Sequence, residues 1–280
     1  MCTGHWRRVV LFILVFLLPN TAACAEKPLW ELGAGLALIQ MPDYRGSDKN
    51  RLYVLPYPYF IYRGDVLKID RDRISGRLFK TDRLVLDFSF FGQVPVKSSD
   101  NDARRGMPDL DPTFEAGPSL NITLLDNRQE DYKLNLTLPI RAGFSTDFSS
   151  LRHEGWVFAP RLVFEKNDLI PKTGVNLGIS IGPILADSAF NSYYYSVKPV
   201  YATDSRPAYS ASGGYGGSTL TLGMNKTYKQ LVFNIFVSMD FLHGAVIEDS
   251  PLVKTRTSVM SGFTVSWIFR KSASSVTSER

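Results

Sequence analysis

The sequence predicts an all-β protein, an antiparallel transmembrane β-barrel that follows a cleaved signal peptide. Three observations lead to this prediction. The chain begins with a short charged and apolar leader. The remainder alternates polar and apolar residues in segments of about ten residues, which is typical of barrel strands. The connections between these segments are short on one side of the predicted sheet and long on the other.

The composition fits one large all-β domain. The chain has 280 residues, of which 44% are hydrophobic and 21% charged, so it is neither a disordered chain nor a multi-span helical protein. Aromatic residues make up 12% of the chain, as expected where rings line two membrane interfaces. After the leader, the sequence contains no apolar run long enough for a membrane-spanning helix.

Residues 1–25 have the features of a secretory signal. Two arginines precede an apolar run over residues 9–18, and small residues precede the predicted cleavage site between Ala25 and Glu26. The apolar run is too short to cross roughly 30 Å of hydrocarbon as a helix. Processing as a lipoprotein at Cys24 is the alternative.

Loss of the leader would lower the formal net charge from +5 to +3, because the leader carries two arginines and no acidic residue. This charge is too small and too interleaved with acids to indicate nucleic-acid binding. Both cysteines, Cys2 and Cys24, lie in the leader. The mature chain is therefore predicted to lack disulfides, which suits export through an oxidising periplasm.

Apolar and polar residues alternate over most of the mature chain. Leu84, Leu86 and Phe88, for example, alternate with Val85 and Asp87. The non-apolar face carries small residues and charges of both signs, which favours a crowded polar lumen over the alternative of a soluble β-sandwich. Twelve strands are predicted near residues 30–39, 51–62, 65–71, 75–80, 83–92, 113–125, 131–142, 154–165, 174–185, 217–226, 230–241 and 257–269.

The lengths of the connections predict the topology of a barrel domain over residues 26–269. Bacterial outer-membrane barrels have short periplasmic turns and long extracellular loops. With both termini in the periplasm, the long connections fall together on the outer side, at residues 40–50, 93–112, 143–153, 186–216 and 242–256. The strands within residues 63–83 are short and charged. If they do not cross the membrane, the strand count is ten instead of twelve.

The last predicted strand ends at Phe269 and precedes a polar tail over residues 270–280. Phe263, Val265, Trp267 and Phe269 lie on one face of this strand. The pattern resembles the C-terminal signal that the outer-membrane barrel assembly machinery recognises. In most such proteins the aromatic residue is the last one, so the tail is a departure.

Three segments outside the predicted strands carry a family resemblance. They are Pro42 to Asp48, with Asp43, Tyr44, Arg45, Gly46 and Ser47 inside it; Tyr193-Tyr194-Tyr195 with residues 206–215; and residues 242–253, with Asp249, Ser250 and Pro251 inside them. In this order, and followed by the closing Trp267-Ile268-Phe269, these segments resemble the MipA/OmpV family of outer-membrane proteins.

The resemblance covers nearly the whole mature chain and implies a barrel in contact with the lipid of a Gram-negative outer membrane. It also implies a non-enzymatic scaffold, because MipA-like members are described as bridging a lytic transglycosylase and a penicillin-binding protein in a murein-remodelling complex. OmpV-like members are associated with porin-like or adhesive behaviour, so a small-solute channel or a surface adhesin is the alternative. The family supplies no catalytic residue, metal or cofactor.

The charges of the first long connection allow two interpretations. Asp43, Arg45, Asp48 and Lys49 could bind a ligand or a metal at the barrel mouth. The expected structure is instead a turn around Gly46 whose charges are solvated or paired.

The remaining long connections hold residues of the types found in hydrolase sites and in metal sites, but loop structure is the favoured interpretation of both. Asp249 and Ser250 lie near His243, but Pro251 next to Ser250 favours a turn over a catalytic triad. His153 and His243 are the histidines left outside the leader, without any cysteine, which argues against a zinc or transition-metal site. Calcium binding by loop carboxylates stays open.

Charged residues on the polar faces of the strands are predicted to face the lumen. They are Asp87, Lys133, Arg141, Arg161 and Asp240. An Arg or Lys facing lipid near the midplane would cost about 2–4 kcal/mol. Inside, these residues could select ions in a pore or close the lumen through ion pairs. Their bulk favours a narrow or plugged lumen, and residues 186–216 either fold into the mouth or stay an exposed loop.

Overall fold

The computed structural model of the protein describes residues 27–64, 67–69, 74–76, 79–81 and 83–276. The predicted cleavage site between Ala25 and Glu26 and the last four residues of the tail lie outside the described residues. Among the described residues, no helix is both long and apolar enough to span a membrane.

The described chain is built from β-strands with one short helix. The strands are β1 (Lys27–Pro28), β2 (Trp30–Pro42), β3 (Asn50–Arg63), β4 (Leu67–Ile69), β5 (Ile74–Gly76), β6 (Phe79–Lys80), β7 (Leu84–Gln93), β8 (Thr113–Asn127), β9 (Tyr132–Thr146), β10 (Leu151–Phe158), β11 (Arg161–Lys166), β12 (Val175–Ala186), β13 (Gly214–Tyr228), β14 (Leu231–Phe241), β15 (Thr257–Lys271) and β16 (Ser275–Val276). Helix α1 is Ser188–Tyr195. All strands except β1 and β16 belong to a single antiparallel sheet.

The sheet curves round on itself. β2 pairs with β15, so the first and last long strands are neighbours, and every other long strand pairs with those next to it in the chain. The order of paired strands begins with β5 and ends with β6, and these two strands are consecutive in the chain. The two edges of the sheet also lie close in space, because Cα atoms of β5 come within 8 Å of Cα atoms of β7. The predicted antiparallel β-barrel is confirmed.

The number of full-length crossings depends on residues 63–83. A membrane-crossing strand needs about 9–11 residues. β2, β3, β7, β8, β9, β12, β13, β14 and β15 each reach ten residues or more, and β10 with β11 forms one interrupted crossing. Where two further strands were expected, at 65–71 and 75–80, the described residues form only the short β4, β5 and β6. Within the part of the chain that the structure describes, ten crossings are therefore long enough to span the membrane.

The strand predicted over residues 154–165 is interrupted. β10 and β11 pair with the same two neighbours, β9 and β12, and are separated by Ala159 and Pro160. Proline has no backbone N–H to donate to the ladder. A Cβ atom on Gly182 would lie 1.9 Å from the carbonyl oxygen of Pro160, so the opposing strand needs glycine at this position.

The C-terminal strand differs from the prediction. β15 continues to Lys271 instead of ending at Phe269, and its register with β2 shifts between Ile268 and Arg270. Ser275–Val276 then pairs with Lys27–Pro28. Part of the polar tail predicted over residues 270–280 is thus a strand, because the backbone of the N-terminal segment lies close enough to supply hydrogen-bond partners.

The two faces of the wall have opposite character. Outward-facing side chains such as Leu52, Val54 and Ile181 are 68%, 57% and 53% exposed, which is expected for a surface covered by lipid. Inward-facing side chains such as Ser119 and Ser266 are polar and buried. The alternation predicted from the sequence thus separates a lipid-facing apolar surface from a polar interior.

Aromatic rings form a belt on the outer surface. Phe90, Phe114, Phe144, His153 and Trp156 follow one another across four strands, with successive ring centroids 5.4–5.9 Å apart. Rings of this kind mark the level of the membrane interface. The belt lies towards the end of the barrel where the long connections meet, which we call the loop end. The opposite end, with Lys27 and Val276, is the terminal end.

Candidate functional site

The long connections at the loop end fold into one compact body, which we call the cap. It consists of residues 43–49, 94–112, 187–213 and 242–256. All four contribute to one buried apolar cluster, whose members include Tyr44, Val96, Leu110, Tyr195, Leu242, Ile247 and Leu252. Connections usually run over a protein surface. Here they have a hydrophobic core of their own, larger than either cluster inside the barrel wall.

The first and third family-motif segments meet in the cap although about 200 residues separate them in the sequence. The Tyr44 hydroxyl donates to the carbonyl oxygen of Leu252 at 2.9 Å. The Ser250 hydroxyl donates to the carbonyl oxygen of Tyr195 at 2.7 Å. Gly46 adopts φ +88°, which favours glycine, and its N–H donates to Ser258 Oγ at 2.8 Å.

Asp43 is a buried carboxylate inside the cap, 2% exposed. It accepts from Arg51 Nε at 2.6 Å and from Asn101 Nδ2 at 2.8 Å. Lys49 pairs with Asp102 at 2.6 Å. The loop charges are mostly paired with one another, and a buried carboxylate satisfied in this way holds two connections together.

Arg45 connects the cap to the barrel wall. Its Nε lies 3.2 Å from an Asp240 oxygen, and the same carboxylate accepts from the Thr219 hydroxyl. Asp240, which was predicted to face the lumen, therefore forms an ion pair with Arg45 of the first motif segment. Pro251, the last motif residue, is half-buried beside Leu252.

Helix α1 closes the mouth from within. The side chain of Asp187 accepts from the N–H of Phe190 at 2.8 Å and thereby caps the helix N-terminus. The Phe190 ring packs against the inward face of Gly143, where a Cβ would lie 2.9 Å from it. Gly155, at φ +120°, leaves room for Asp187. The alternative that residues 186–216 form an exposed loop is therefore wrong for the part that contains α1.

Three cap residues were not identified from the sequence as site residues. Asn101 is fully buried and joins Asp43 to Ser47. Arg104 donates to the carbonyl oxygen of Tyr194, and Arg206 donates to two backbone carbonyl oxygens of residues 103–105. Residues 94–112 have no periodicity from which such roles could be predicted. For Arg206, the Arg-Pro pair in the second motif segment was the available signal.

Burial changes the ionisation of several cap residues. Desolvation raises the pKa of Tyr195 to about 12 and the pKa of Tyr193 to about 12. It also raises the pKa of Tyr44 and Tyr194 far above the usual value, and lowers the pKa of Arg104. These tyrosines stay protonated at neutral pH, so their hydroxyls remain available as hydrogen-bond donors.

Below the cap, the lumen wall carries a buried ion pair. Arg141 Nε lies 2.8 Å from a Glu115 oxygen, and both residues are less than 9% exposed. Arg141 also donates to the Ser89 hydroxyl at 3.4 Å. Two strands, β8 and β9, are thus joined inside the barrel by a charge pair, as well as by their ladder.

The remaining residues predicted to face the lumen lie in different environments. Asp87 is buried in the wall, 4% exposed. Lys133 lies near the terminal end and pairs with Asp126 at 3.3 Å, partly exposed. Arg161 is exposed beside the break at Pro160. The structure does not gather the five predicted charges into a ring around a pore.

Among the residues that the structure describes, Ser250 forms no hydrogen bond with His243, so the two do not form part of a catalytic triad. The Ser250 hydroxyl proton is engaged by the backbone carbonyl of Tyr195 and the side chain is buried. Its oxygen accepts from the N–H of Leu252, so the serine stabilises its own turn. Within the described residues, no group of three or more His, Cys, Asp or Glu side chains is placed to hold a metal ion.

The predicted assembly signal lies on β15. Trp267 and Phe269 are 54% and 49% exposed at the terminal end, with ring centroids 5.8 Å apart. Phe263 packs against Phe233 of β14, with ring centroids 6.5 Å apart. Val265 is partly exposed between them.

Comparisons with solved structures return outer-membrane barrels of low similarity. Outer membrane phospholipase A from Escherichia coli is 12% identical, covering 91% of this chain and 96% of its own, with a TM-score of 0.37. The toluene transporter TbuX from Ralstonia pickettii is 8% identical over 91% and 93% of the two chains, with a TM-score of 0.29. OprG from Pseudomonas aeruginosa is 8% identical over 87% and 94%, with a TM-score of 0.21. No function is inferred from these similarities.

A search of curated proteins found no significant match. The sequence profile of the family described as MltA-interacting protein MipA matches residues 34–269, which include the whole cap and all of the long strands except the first residues of β2 and the last two of β15. The predicted location in the Gram-negative outer membrane is confirmed by this match together with the barrel architecture. The chain belongs to the MipA family of MltA-interacting proteins.

Proposed function

We propose that this protein is a non-enzymatic scaffold that holds a lytic transglycosylase of the MltA type at the inner face of the outer membrane. The family description, MltA-interacting protein, supports the choice of partner. A bifunctional penicillin-binding protein would be the second member of the complex. In this role the barrel serves as an anchor, and the protein changes where murein is cut without taking part in the cutting.

The observation that carries the proposal is the closed mouth. A solute channel needs a continuous polar path, whereas the cap places an apolar cluster at the loop end, with Leu242, Ile247 and Leu252 each fully buried. Helix α1 packs against the inner wall beneath this cluster. An anchor, unlike a channel, is compatible with a closed mouth.

The terminal end is the surface available to a periplasmic partner, because bacterial barrels direct their short turns inward. Among the turns at this end that the structure describes completely, the largest is formed by residues 167–174, and it exposes Leu169 and Ile170. The N–H of Asn167 donates to the carbonyl oxygen of Asp131 at 2.9 Å, so this turn is fixed to its neighbour. A rigid turn with two exposed apolar side chains is a suitable docking point.

The test is binding of purified MltA to the folded barrel in detergent. We expect Leu169→Ser/Ile170→Ser to weaken binding about tenfold or more, because apolar anchors near the centre of an interface carry much of its affinity. Val200→Ser is the matched control, since Val200 is 77% exposed on the cap at the opposite end.

Two results would count against the proposal. If wild-type protein does not retain MltA, the scaffold function is wrong for this chain. If the double variant and the Val200 control bind alike, the docking surface is not the 167–174 turn. Unchanged heat-dependent mobility in electrophoresis would show that the variants are folded.

We also propose that the outer-membrane barrel assembly machinery inserts this chain through Phe263, Val265, Trp267 and Phe269. The exposed rings of Trp267 and Phe269 support this proposal, because an assembly factor can reach them on the outer surface. Replacing both rings with alanine should leave unassembled protein in the periplasm, as measured by membrane fractionation.

A further inference from the structure

The seam between the first and last long strands opens at the loop end. The β2–β15 ladder ends at the pair Gln40–Ser261, although β15 begins at Thr257 and β2 continues to Pro42. Both strands keep their other neighbours along this stretch, because β15 pairs with β14 as far as Thr257 and β2 with β3 as far as Pro42. The two strands therefore part, and a recess of about 390 Å³ lies between them.

The cap lines the inner side of this recess. The N–H of Gly46 donates to Ser258 Oγ, and the N–H of Lys254 donates to the carbonyl oxygen of Gly46 at 2.7 Å. The Ser47 hydroxyl accepts from the N–H of Lys49 and from Asn101 Nδ2 of a neighbouring connection, and the Thr255 hydroxyl donates to the carbonyl oxygen of Thr257. These contacts fix the shape of the recess without filling it.

The outer side of the recess carries polar side chains, most of them exposed, that are free of hydrogen bonds within the part of the chain that the structure describes. They belong to Gln40, Asp48, Asn50, Thr257 and Ser261, and within the described residues none of them makes a hydrogen bond or an ion pair. The set comprises two amides, two hydroxyls and one carboxylate, with no cation among the lining side chains. Such a set matches the alternating donors and acceptors of sugar hydroxyls better than it matches a phosphate.

An apolar surface adjoins the recess on the lipid side. Leu52 lies directly opposite Gln40 in the β2–β3 ladder and is 68% exposed, and Val54 and Val259 continue the same outward face. A polar recess bordered by lipid-facing side chains fits a molecule that has a sugar head and acyl chains. The loop end faces the cell exterior, so the recess opens towards the outer leaflet.

We propose that the β2–β15 recess binds the sugar headgroup of an acylated saccharide of the outer leaflet. Gln40, Asn50 and Ser261 contact the sugar hydroxyls, and the acyl chains lie along Leu52, Val54 and Val259. The proposal is independent of the scaffold function, because the recess and the 167–174 turn lie at opposite ends of the barrel.

The test is titration of the folded full-length barrel in detergent with dephosphorylated lipid A, called lipid A below, because the lining of the recess offers no cation for phosphates. Binding is followed by native mass spectrometry. Phosphatidylethanolamine serves as the reference lipid. We expect a preference for lipid A that falls about tenfold or more in Gln40→Ala/Asn50→Ala/Ser261→Ala, since three hydrogen-bonding groups are lost. Gln129→Ala is the matched control, because Gln129 is an exposed amide in a turn at the terminal end.

A deacylated lipid A saccharide distinguishes recognition of the sugar alone from recognition that also needs the acyl chains. If it competes with lipid A, the sugar alone is recognised; if it does not, the acyl chains contribute, and either result supports the recess as a glycolipid site. The proposal is overturned if the triple variant, shown to be folded by heat-dependent mobility, binds lipid A as the wild type does. It is also overturned if the wild type prefers lipid A no more than phosphatidylethanolamine.

Discussion

At the scale of single residues, Tyr44 joins parts of the cap that are far apart in the sequence. Its hydroxyl donates to Leu252, and its ring lies edge-on to Tyr195 with centroids 6.2 Å apart. The side chain is 1% exposed. A buried tyrosine of this kind contributes through both packing and a hydrogen bond, so removal of each part should have a separate effect.

Tyr44→Phe should destabilise the cap by about 1–3 kcal/mol, because the carbonyl oxygen of Leu252 is left buried without its donor. Tyr44→Ala should cost about 3–5 kcal/mol, because a cavity is added. The measurement is the rate of tryptic cleavage within residues 242–256 of the folded protein. Equal cleavage rates in wild type and Tyr44→Ala would contradict this assignment. The barrel itself should keep its heat-dependent mobility in both variants.

The Glu115–Arg141 pair allows a second prediction at this scale. Glu115→Met leaves Arg141 buried without its charge partner and should lower the free energy of unfolding by about 3–5 kcal/mol. Glu115→Met/Arg141→Met removes both charges and should recover much of that loss, because no unpaired charge remains. Urea unfolding of the barrel in detergent micelles measures both. A double variant as unstable as the single one would show that packing, and not charge, dominates at this position.

At the scale of elements, the cap behaves as a small domain built on a membrane protein. Its core includes the aromatic end of α1, where Tyr193, Tyr194 and Tyr195 are consecutive. The helix is too short to be stable by itself. Its N-cap at Asp187 and the packing of its rings against the other connections hold it in place.

The tyrosines make the cap sensitive to alkali. The pKa of Tyr195 is about 12 in the folded cap, against about 10 for an exposed tyrosine. Burial therefore favours the protonated form in the folded state, so the contribution of Tyr195 is complete below about pH 10 and is lost as the pH rises through about 12. In a pH titration, the tyrosinate absorbance of the cap should rise only at a pH above the one at which exposed tyrosines ionise. Protease cleavage of the cap should increase over the same pH range.

Tyr195→Phe provides the control for this pH dependence. The variant cannot ionise at this position, so its cap should stay resistant to protease to a higher pH than the wild-type cap. The variant lacks the hydrogen bond to the carbonyl oxygen of Arg45 at every pH. The cost of this loss to the variant cap should therefore not change with pH. A wild-type protein whose tyrosines all titrate near the ordinary pKa would contradict the burial of this cluster.

At the scale of the whole molecule, the protein is a barrel closed at one end by its own connections. The wall presents apolar side chains to lipid and polar ones to the interior, and the cap closes the loop end above the Glu115–Arg141 pair. The paired segments Lys27–Pro28 and Ser275–Val276, the first and last of the described residues, lie together at the opposite end. The molecule therefore has one closed end and one end that carries the short turns and these paired segments.

The closed mouth predicts the electrical behaviour of the protein. Wild-type protein should give no discrete conductance steps in a planar bilayer, because an apolar core blocks the path of ions. Replacing residues 188–212 with a short Gly-Ser linker should produce steps, since this removes α1 from the inner wall. Reproducible steps from the wild type would instead favour a porin-like channel, with Asp87 and Arg141 near its path.

Much of this structure could be predicted from the sequence because barrel strands are governed by a local rule. Alternation of side chains with period two places Leu86 and Phe88 on one face and Asp87 on the other, whatever the rest of the chain does. Connection lengths placed the cap segments on one side. The break at Pro160 and the extension of β15 past Phe269 were missed, because both depend on neighbouring strands that supply or withhold hydrogen-bond partners.

The sequence by itself determined most of the long strands, their inward and outward faces, the family and the location in the membrane. Only the tertiary structure decided that Asp43 is buried beside Asn101, that Arg45 reaches Asp240, and that α1 lies inside the mouth. The physical reason is that these contacts join irregular segments separated by tens to hundreds of residues. No local periodicity encodes them, so they follow only from the closure of the barrel, which brings the four connections together over one opening.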